Sequence, residues 1–293
     1  MRVFVTGASG WIGSAVVPEL IGAGHQVLGL ARSDSAAERV AAAGAEVLLG
    51  DLNDTDVLRA GALRCDGVIH LAYLVPSVSE AATQTDAAAI ETFVGALAGS
   101  SKPLVISGAT LRTPGRPATE RDELVAAGPV AARIRNMQAA LAAVDRVVRV
   151  VLVMLPRSVH GEGERHGFVP QLISMARAKG VSGYIGDGAS RWPAVHVKDA
   201  ARLYRLAIEQ APAGSVLNAV ADEGVPVREI AEAIGRNLGL PVRSLPDDEF
   251  AGMFVPLLTT DMPASSALTQ DLLGWKPAHP GLIEDIDLGH YFN

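Results

Sequence analysis

The chain has 293 residues, 49% of them hydrophobic and 19% charged, and carries a formal net charge of −7. That length suits one large α/β domain or a domain with a smaller lobe. The acidic balance argues against a nucleic-acid or anionic-membrane partner, because phosphate surfaces need clustered Lys and Arg. One cysteine, Cys65, excludes an intrachain disulfide framework and a multi-thiolate metal site. Apolar stretches are interrupted by charges before reaching the ~18 residues of a membrane span. The first residues read as a strand and not as a signal peptide, so a soluble, cytoplasmic protein is the expectation.

Arg2–Thr6 is the first expected strand. It leads into Thr6-Gly7-Ala8-Ser9-Gly10-Trp11-Ile12-Gly13, a G-x-x-G-x-x-G run followed by an apolar helix over 11–22. Strand before and helix after is the context in which such glycines cradle a dinucleotide pyrophosphate. Gly7 makes the turn, Gly10 removes the Cβ that would hold phosphates away, and Gly13 brings helix and strand together. The dipole end of the helix then faces the anion. Gln26–Ala31 is the second strand, 36–43 a helix, Glu46–Leu49 the third strand and 67–71 the fourth. An alanine-rich helix is expected over 79–97, strand five over 104–107, a helix over 130–144, and strand six within 146–155. This alternation predicts a Rossmann-like, doubly wound parallel sheet with the nucleotide across the carboxyl ends of its strands.

After Pro156 the rhythm gives way to glycines, prolines, histidines and an isolated tryptophan, with helices clear only over 197–209 and 226–240. We therefore divide the chain into a dinucleotide-binding core, 1–156, and a second part, 157–293. The second part holds segments returning to the sheet and a smaller C-terminal substrate lobe.

The chain resembles the short-chain dehydrogenase/reductase superfamily, in its extended or atypical epimerase/dehydratase-like branch. The glycine loop is similar to that branch's TGxxGxxG. Gly50-Asp51-Leu52 and His70-Leu71-Ala72 look like its motifs after strands three and four. Gly186-Asp187-Gly188, Arg191, Val195-His196-Val197-Lys198-Asp199 and Leu272-Leu273-Gly274-Trp275-Lys276-Pro277 match its later segments. The resemblance implies cofactor contacts from Gly7, Ser9, Gly10, Trp11, Ile12, Gly13, Asp51, Leu52, Leu71, Ala72, Pro156 and Val159. It also implies substrate contacts near Phe168, Arg191 and Trp192, and a possible homodimer through the helices after strands four and five.

Cofactor choice can be read at the end of strand two. NAD-selective relatives place a carboxylate there, whereas this chain has Arg32 and Ser33, so NADP(H) is expected over NAD(H), with Asp34 the reservation. The branch also uses Tyr-x-x-x-Lys on the helix after strand five. Here that register reads Arg133 and Met137, and neither is a good proton donor. The remaining candidates are Ser107 to polarise a substrate oxygen, Tyr73 or His160 to move a proton, and Arg133 to hold an oxyanion. His160 is also a candidate substrate contact. Asp86 stands where the family usually has an asparagine. The histidines at 160, 166 and 196 lack metal-ligand spacing, so no metal is expected. The leading expectation is an oxidoreductase on a small to medium carbonyl or alcohol. The alternatives are a nucleotide-binding sensor or scaffold without turnover, and a non-redox cyclase, lyase or epimerase.

Overall fold

The computed structural model describes residues 1–73, 79–250, 252 and 254–292. The first half alternates strand and helix: β1 (Arg2–Thr6), α1 (Gly13–Gly22), β2 (Gln26–Ala31), α2 (Asp34–Ala42), β3 (Glu46–Leu49), α3 (Thr55–Leu63) and β4 (Gly67–His70). It continues through α4 (Glu80–Leu97), β5 (Pro103–Ala109), α5 (Ala131–Ala142) and β6 (Arg149–Leu155). The strands form a seven-stranded sheet in the order β10-β6-β5-β4-β1-β2-β3, all parallel. The tenth strand, β10 (Ser215–Asn218), comes from the second half of the chain and pairs with β6.

Side chains alternate across the sheet. Val3, Val5, Ile69, Val105 and Val151 pack against α1, α2 and α7 (Val197–Gln210) on one face. Phe4, Val68, Leu104, Ile106 and Leu152 pack against α3, α4 and α5 on the other. Burial on both faces explains why these strands read as near-continuous apolar runs.

Two differences from expectation have simple causes. Helix α1 begins at Gly13 and not at residue 11, because Gly7 to Ile12 are used to turn under the groove. Helix α3 was not expected: it is nine residues long, capped by Asp54 through the Val57 amide, and buries only Leu58, Gly61 and Ala62. Such a narrow apolar stripe is hard to tell from a connection.

The lobe is built from β7 (Ser158–His160), α6 (Phe168–Lys179), β8 (Ser182–Tyr184), β9 (Arg191–His196), β11 (Asp222–Pro226), α8 (Val227–Leu238) and β12 (Val242–Ser244). Helices α9 (Phe254–Thr259), α10 (Ala267–Leu273) and α11 (Leu282–Asp287) complete the chain. The lobe has its own core around Trp192, Ile230, Ile234, Phe254, Leu282 and Ile286. Helix α6 was also missed from sequence, since the glycines and histidines before it mask the Val169, Leu172, Ile173, Ala176 stripe. Among the described residues, no helix is long and apolar enough to cross a membrane.

Candidate active site

The glycine loop has the backbone its residues allow. Gly7 sits at φ 68°, the left-handed region that disfavours a side chain. A Cβ there would stand 2.8 Å from the Ala72 amide nitrogen. A Cβ on Gly13 would stand 2.1 Å from the Gly7 carbonyl oxygen, so only glycine lets α1 start this close to β1. Gly10 meets nothing but that carbonyl, at 3.2 Å, and its missing side chain leaves the space above the loop open. Helix α1 has no side-chain N-cap, so its positive end is presented to that space.

The space is a groove of about 620 Å³ along the carboxyl ends of the strands. Gly7, Ser9, Gly10, Trp11, Ile12 and Gly13 form one side. Arg32 and Ser33 after β2, Asp51 and Leu52 after β3, and Leu71, Ala72 and Tyr73 after β4 form the other. Ser35, Ala36 and Arg39 of α2 line it too. The sequence reading missed these three, although their place in the first turns after β2 was the available signal. Pro156 and Val159 are not among the lining residues. The Val159 carbonyl instead accepts the Trp11 indole N–H at 2.7 Å, tying β7 to the glycine loop.

Beneath the groove runs a buried polar chain. Because the Asp86 carboxylate can only accept, the His70 ring carries its proton on Nε2, and the Thr6 hydroxyl, which accepts from the Ala72 amide at 3.3 Å, donates to Nδ1 at 2.7 Å. His70 Nε2 thus donates to Asp86, 3.3 Å away, while Asn136 of α5 donates to the same carboxylate at 2.8 Å. Burial alone would raise the Asp86 pKa, but the hydrogen bonds from His70 and Asn136, with the charge of Arg133, hold it below the usual value. Asn136 carried no motif that would have found it.

Ser107 is placed differently from the expectation. Its side chain leaves the sheet on the α7 side, where it meets the Tyr204 hydroxyl at 2.7 Å and donates to the His70 carbonyl at 3.1 Å. Tyr204 is fully buried and must donate. The Ser107 proton is therefore already engaged and cannot also polarise a substrate oxygen. Arg133 and Met137, in contrast, line a second cavity beside the groove. The Arg133 guanidinium lies 4.1 Å from the centre of the Tyr73 ring, and Met137 is buried one turn further along α5. Among the described residues, the Tyr73 hydroxyl is buried without a hydrogen-bond partner. Among the described residues, Arg133 forms no salt bridge and donates to the Ser107 carbonyl at 3.4 Å.

Two of the expected substrate residues, His160 and Trp192, need correction. His160 is 0% exposed, with Nδ1 on Asp285 at 2.9 Å, so it belongs to the joint between β7 and α11. Trp192 is also 0% exposed, because its ring is the centre of the lobe core and its N–H is given to the Leu257 carbonyl. Phe168 stacks edge-on against Trp192 and Phe254. Arg191 is held by Asp261 through Nε at 3.0 Å and Nη2 at 2.8 Å.

Next to the groove, across the Tyr73–Arg133 stack, lies a second cavity of about 740 Å³ between the end of β5, the loop over 110–128 and the start of α5. The sequence reading did not anticipate it, because the loop carries no motif. Asp122 folds the loop, accepting from Arg116, from Thr113 at 3.1 Å and from the Thr119 amide at 2.8 Å. These partners push its carboxyl far below the usual range.

Comparison with known proteins supplies the family. Residues 3–219 match the model of the NAD dependent epimerase/dehydratase family. The chain belongs to that family. It is thus an NAD-binding enzyme of the oxidoreductase and epimerase type. An uncharacterized protein of Schizosaccharomyces pombe is 44% identical over 298 residues, covering 100% of each chain. A 4-hydroxy-2-methyl-3-oxo-4-farnesyl-3,4-dihydroquinoline-1-oxide ketoreductase of Stigmatella aurantiaca is 30% identical over 237 residues, covering 78% of this chain and 70% of its own. Among solved structures, MoeE5 in complex with UDP-glucose and NAD aligns with a TM-score of 0.77 at 23% identity, covering 99% of this chain and 97% of that one. A UDP-glucose 4-epimerase of Stenotrophomonas maltophila with bound NAD aligns at 0.76 and 22%, covering 99% and 98%. At that identity the likeness is one of fold.

The expectation of NADP(H) over NAD(H) is corrected by these structures, in which the bound dinucleotide is NAD. The site offers a physical reason why Arg32 and Ser33 were a poor guide. Arg32 is exposed. Ser33 uses its hydroxyl to cap α2, accepting from the Ala36 amide at 3.3 Å. The groove itself fits a dinucleotide: its floor is a surface that Cβ atoms at Gly7 and Gly13 would destroy.

Proposed function

We propose that this protein is an NAD(H)-dependent oxidoreductase that interconverts a carbonyl and an alcohol, with Tyr73 exchanging the proton. The observation that carries the reading is the Tyr73–Arg133 stack. A buried hydroxyl free of partners among the described residues stands where the nucleotide groove meets the second cavity, under a guanidinium 4.1 Å from its ring.

Backbone amides of Gly10 to Gly13 would hold the pyrophosphate, Asp51 and Leu52 the adenine end, and Leu71 and Ala72 the ribose beside β4. Bound there, the dinucleotide supplies the two-electron chemistry of the interconversion. The protein's own part is proton transfer and charge stabilisation. Tyr73 donates to the oxygen in the reducing direction and recovers its proton from water. The Arg133 cation, fixed over the ring, stabilises negative charge developing on that oxygen. Met137, in the place of the family's lysine, adds a dry wall. The ketoreductase activity of the Stigmatella relative supports a carbonyl substrate.

The test is oxidation of NADH, followed by absorbance, with a panel of ketones and aldehydes, alongside direct titration of NADH and NADPH. Turnover with NADH and its loss, by about 100-fold or more, in Tyr73→Phe is expected. Unchanged turnover in that variant removes Tyr73 from the mechanism, and tighter binding of NADPH overturns the cofactor assignment.

A further inference from the structure

The second cavity has a chemistry of its own. Its volume of about 740 Å³ suits a drug-sized ligand. Leu111, Val125, Val130, Ile134, Met137 and Met262 supply an apolar lining, and Val125 and Val130 remain 61% and 46% exposed at its edge. Exposed apolar side chains gathered on the wall of a cavity mark a place where hydrocarbon is to be covered.

The charges are uneven. Arg133 is partly buried and, among the described residues, unpaired with any carboxylate, although its fork can make five donations. Arg112 lines the same cavity. Of the two acids on the wall, Asp122 is already neutralised by Arg116, and Glu123 is exposed. Among the described residues, the cavity thus presents two guanidiniums, Arg112 and Arg133, that form no salt bridge, and Arg133 is the one that is partly buried beside the apolar wall. Arg191, outside this cavity, is forked onto Asp261.

We propose that this cavity is the substrate pocket and takes an oxo acid with a hydrocarbon tail. The carboxylate lies on the Arg133 fork, the neighbouring carbonyl faces Tyr73, and the tail runs along Ile134, Val130 and Val125. A planar guanidinium and a carboxylate match as a two-bond fork, which a neutral ketone cannot supply. This rests on the carbonyl reading above and adds the anionic group and the apolar body.

Binding, measured by calorimetry, tests the proposal without turnover. The probes are a medium-chain 3-oxo fatty acid, the methyl ketone left when its carboxyl group is removed, and UDP-glucose. The oxo acid is expected to bind about tenfold or more tighter than the ketone. Arg133→Gln is expected to erase that difference, by weakening the acid about tenfold more than the ketone. Val125→Trp, an exposed site where folding is not at risk, is expected to weaken both, while NADH still binds in its own groove. Equal affinity for acid and ketone, or no effect of Arg133→Gln on the acid, overturns the anion site even if NADH-dependent reduction of neutral ketones is observed. Tighter binding of UDP-glucose than of the oxo acid, or binding of neither oxo acid nor ketone, overturns the pocket assignment. Failure of reduction alone, with the binding pattern intact, overturns only the reaction.

Discussion

At the scale of single residues, the sharpest constraint is Gly13. Its Cβ position is occupied by the Gly7 carbonyl at 2.1 Å and by backbone atoms of Ala8 at 2.8 Å, and none of these can move without opening the glycine loop. Gly13→Ala is expected to cost about 3 kcal/mol and to abolish NADH binding, read by thermal unfolding and by titration. A second residue-scale feature lies on the loop facing that site. Glu164 is buried, accepts from the Tyr291 hydroxyl at 2.8 Å and sits near Asp285. Burial pushes its carboxyl up to about 7. A folded pKa raised above the unfolded value means the native state holds the extra proton between about pH 4.5 and 7. This contribution is therefore present at low pH and lost as pH rises through 7. Glu164→Gln, which keeps the acceptor for Tyr291, is expected to be relatively more stable than the parent above pH 7 and to lose that slope, measured by denaturant unfolding across pH. His196 works in the opposite sense. Burial and the nearby His160 push it down to about 4, so its contribution is lost as pH falls below 6.5.

At the scale of elements, helix ends explain both what was legible and what misled. The strand ends and the glycine loop are written in local residue types, which is why β1, β2 and β3 fall where periodicity places them. Ser33 shows the limit of that reading. A hydroxyl beside Arg32 in place of a carboxylate suggests NADP(H), yet here it caps α2. Ser33→Ala is expected to lower stability by about 1 kcal/mol through loss of the cap. A matching loss of NADH affinity larger than the stability change would show that it also touches the nucleotide. Helix α5 carries a different lesson. Its sequence announces that the usual tyrosine and lysine are absent, but not that Arg133 would lie over Tyr73 from the end of β4. That contact joins residues sixty positions apart, and nothing in either segment encodes it.

At the scale of the molecule, the C-terminal stretch is a fastener. Trp275 is 0% exposed, inserts into the core beneath α1 and α7, and gives its N–H to the Asp199 carbonyl at 3.0 Å. The Asp199 carboxylate accepts from the amides of Ala278 and His279, each at 3.0 Å, so the turn after Trp275 is held to the start of α7. Trp275→Ala is expected to cost about 3–5 kcal/mol. A thermal melt losing lobe and sheet together would show that the two parts unfold as one. The sequence by itself determined the parallel sheet, the dinucleotide groove and the departure on α5, because strand patterning and glycine geometry are local properties. Only the tertiary structure decided that the Ser107 proton is engaged, that His160 and Trp192 are core and that Arg191 is paired. It alone revealed a cavity beside the groove holding a guanidinium that is unpaired among the described residues. Each of these depends on which distant side chain fills the space next to a residue, and that neighbour is chosen by packing and not by sequence.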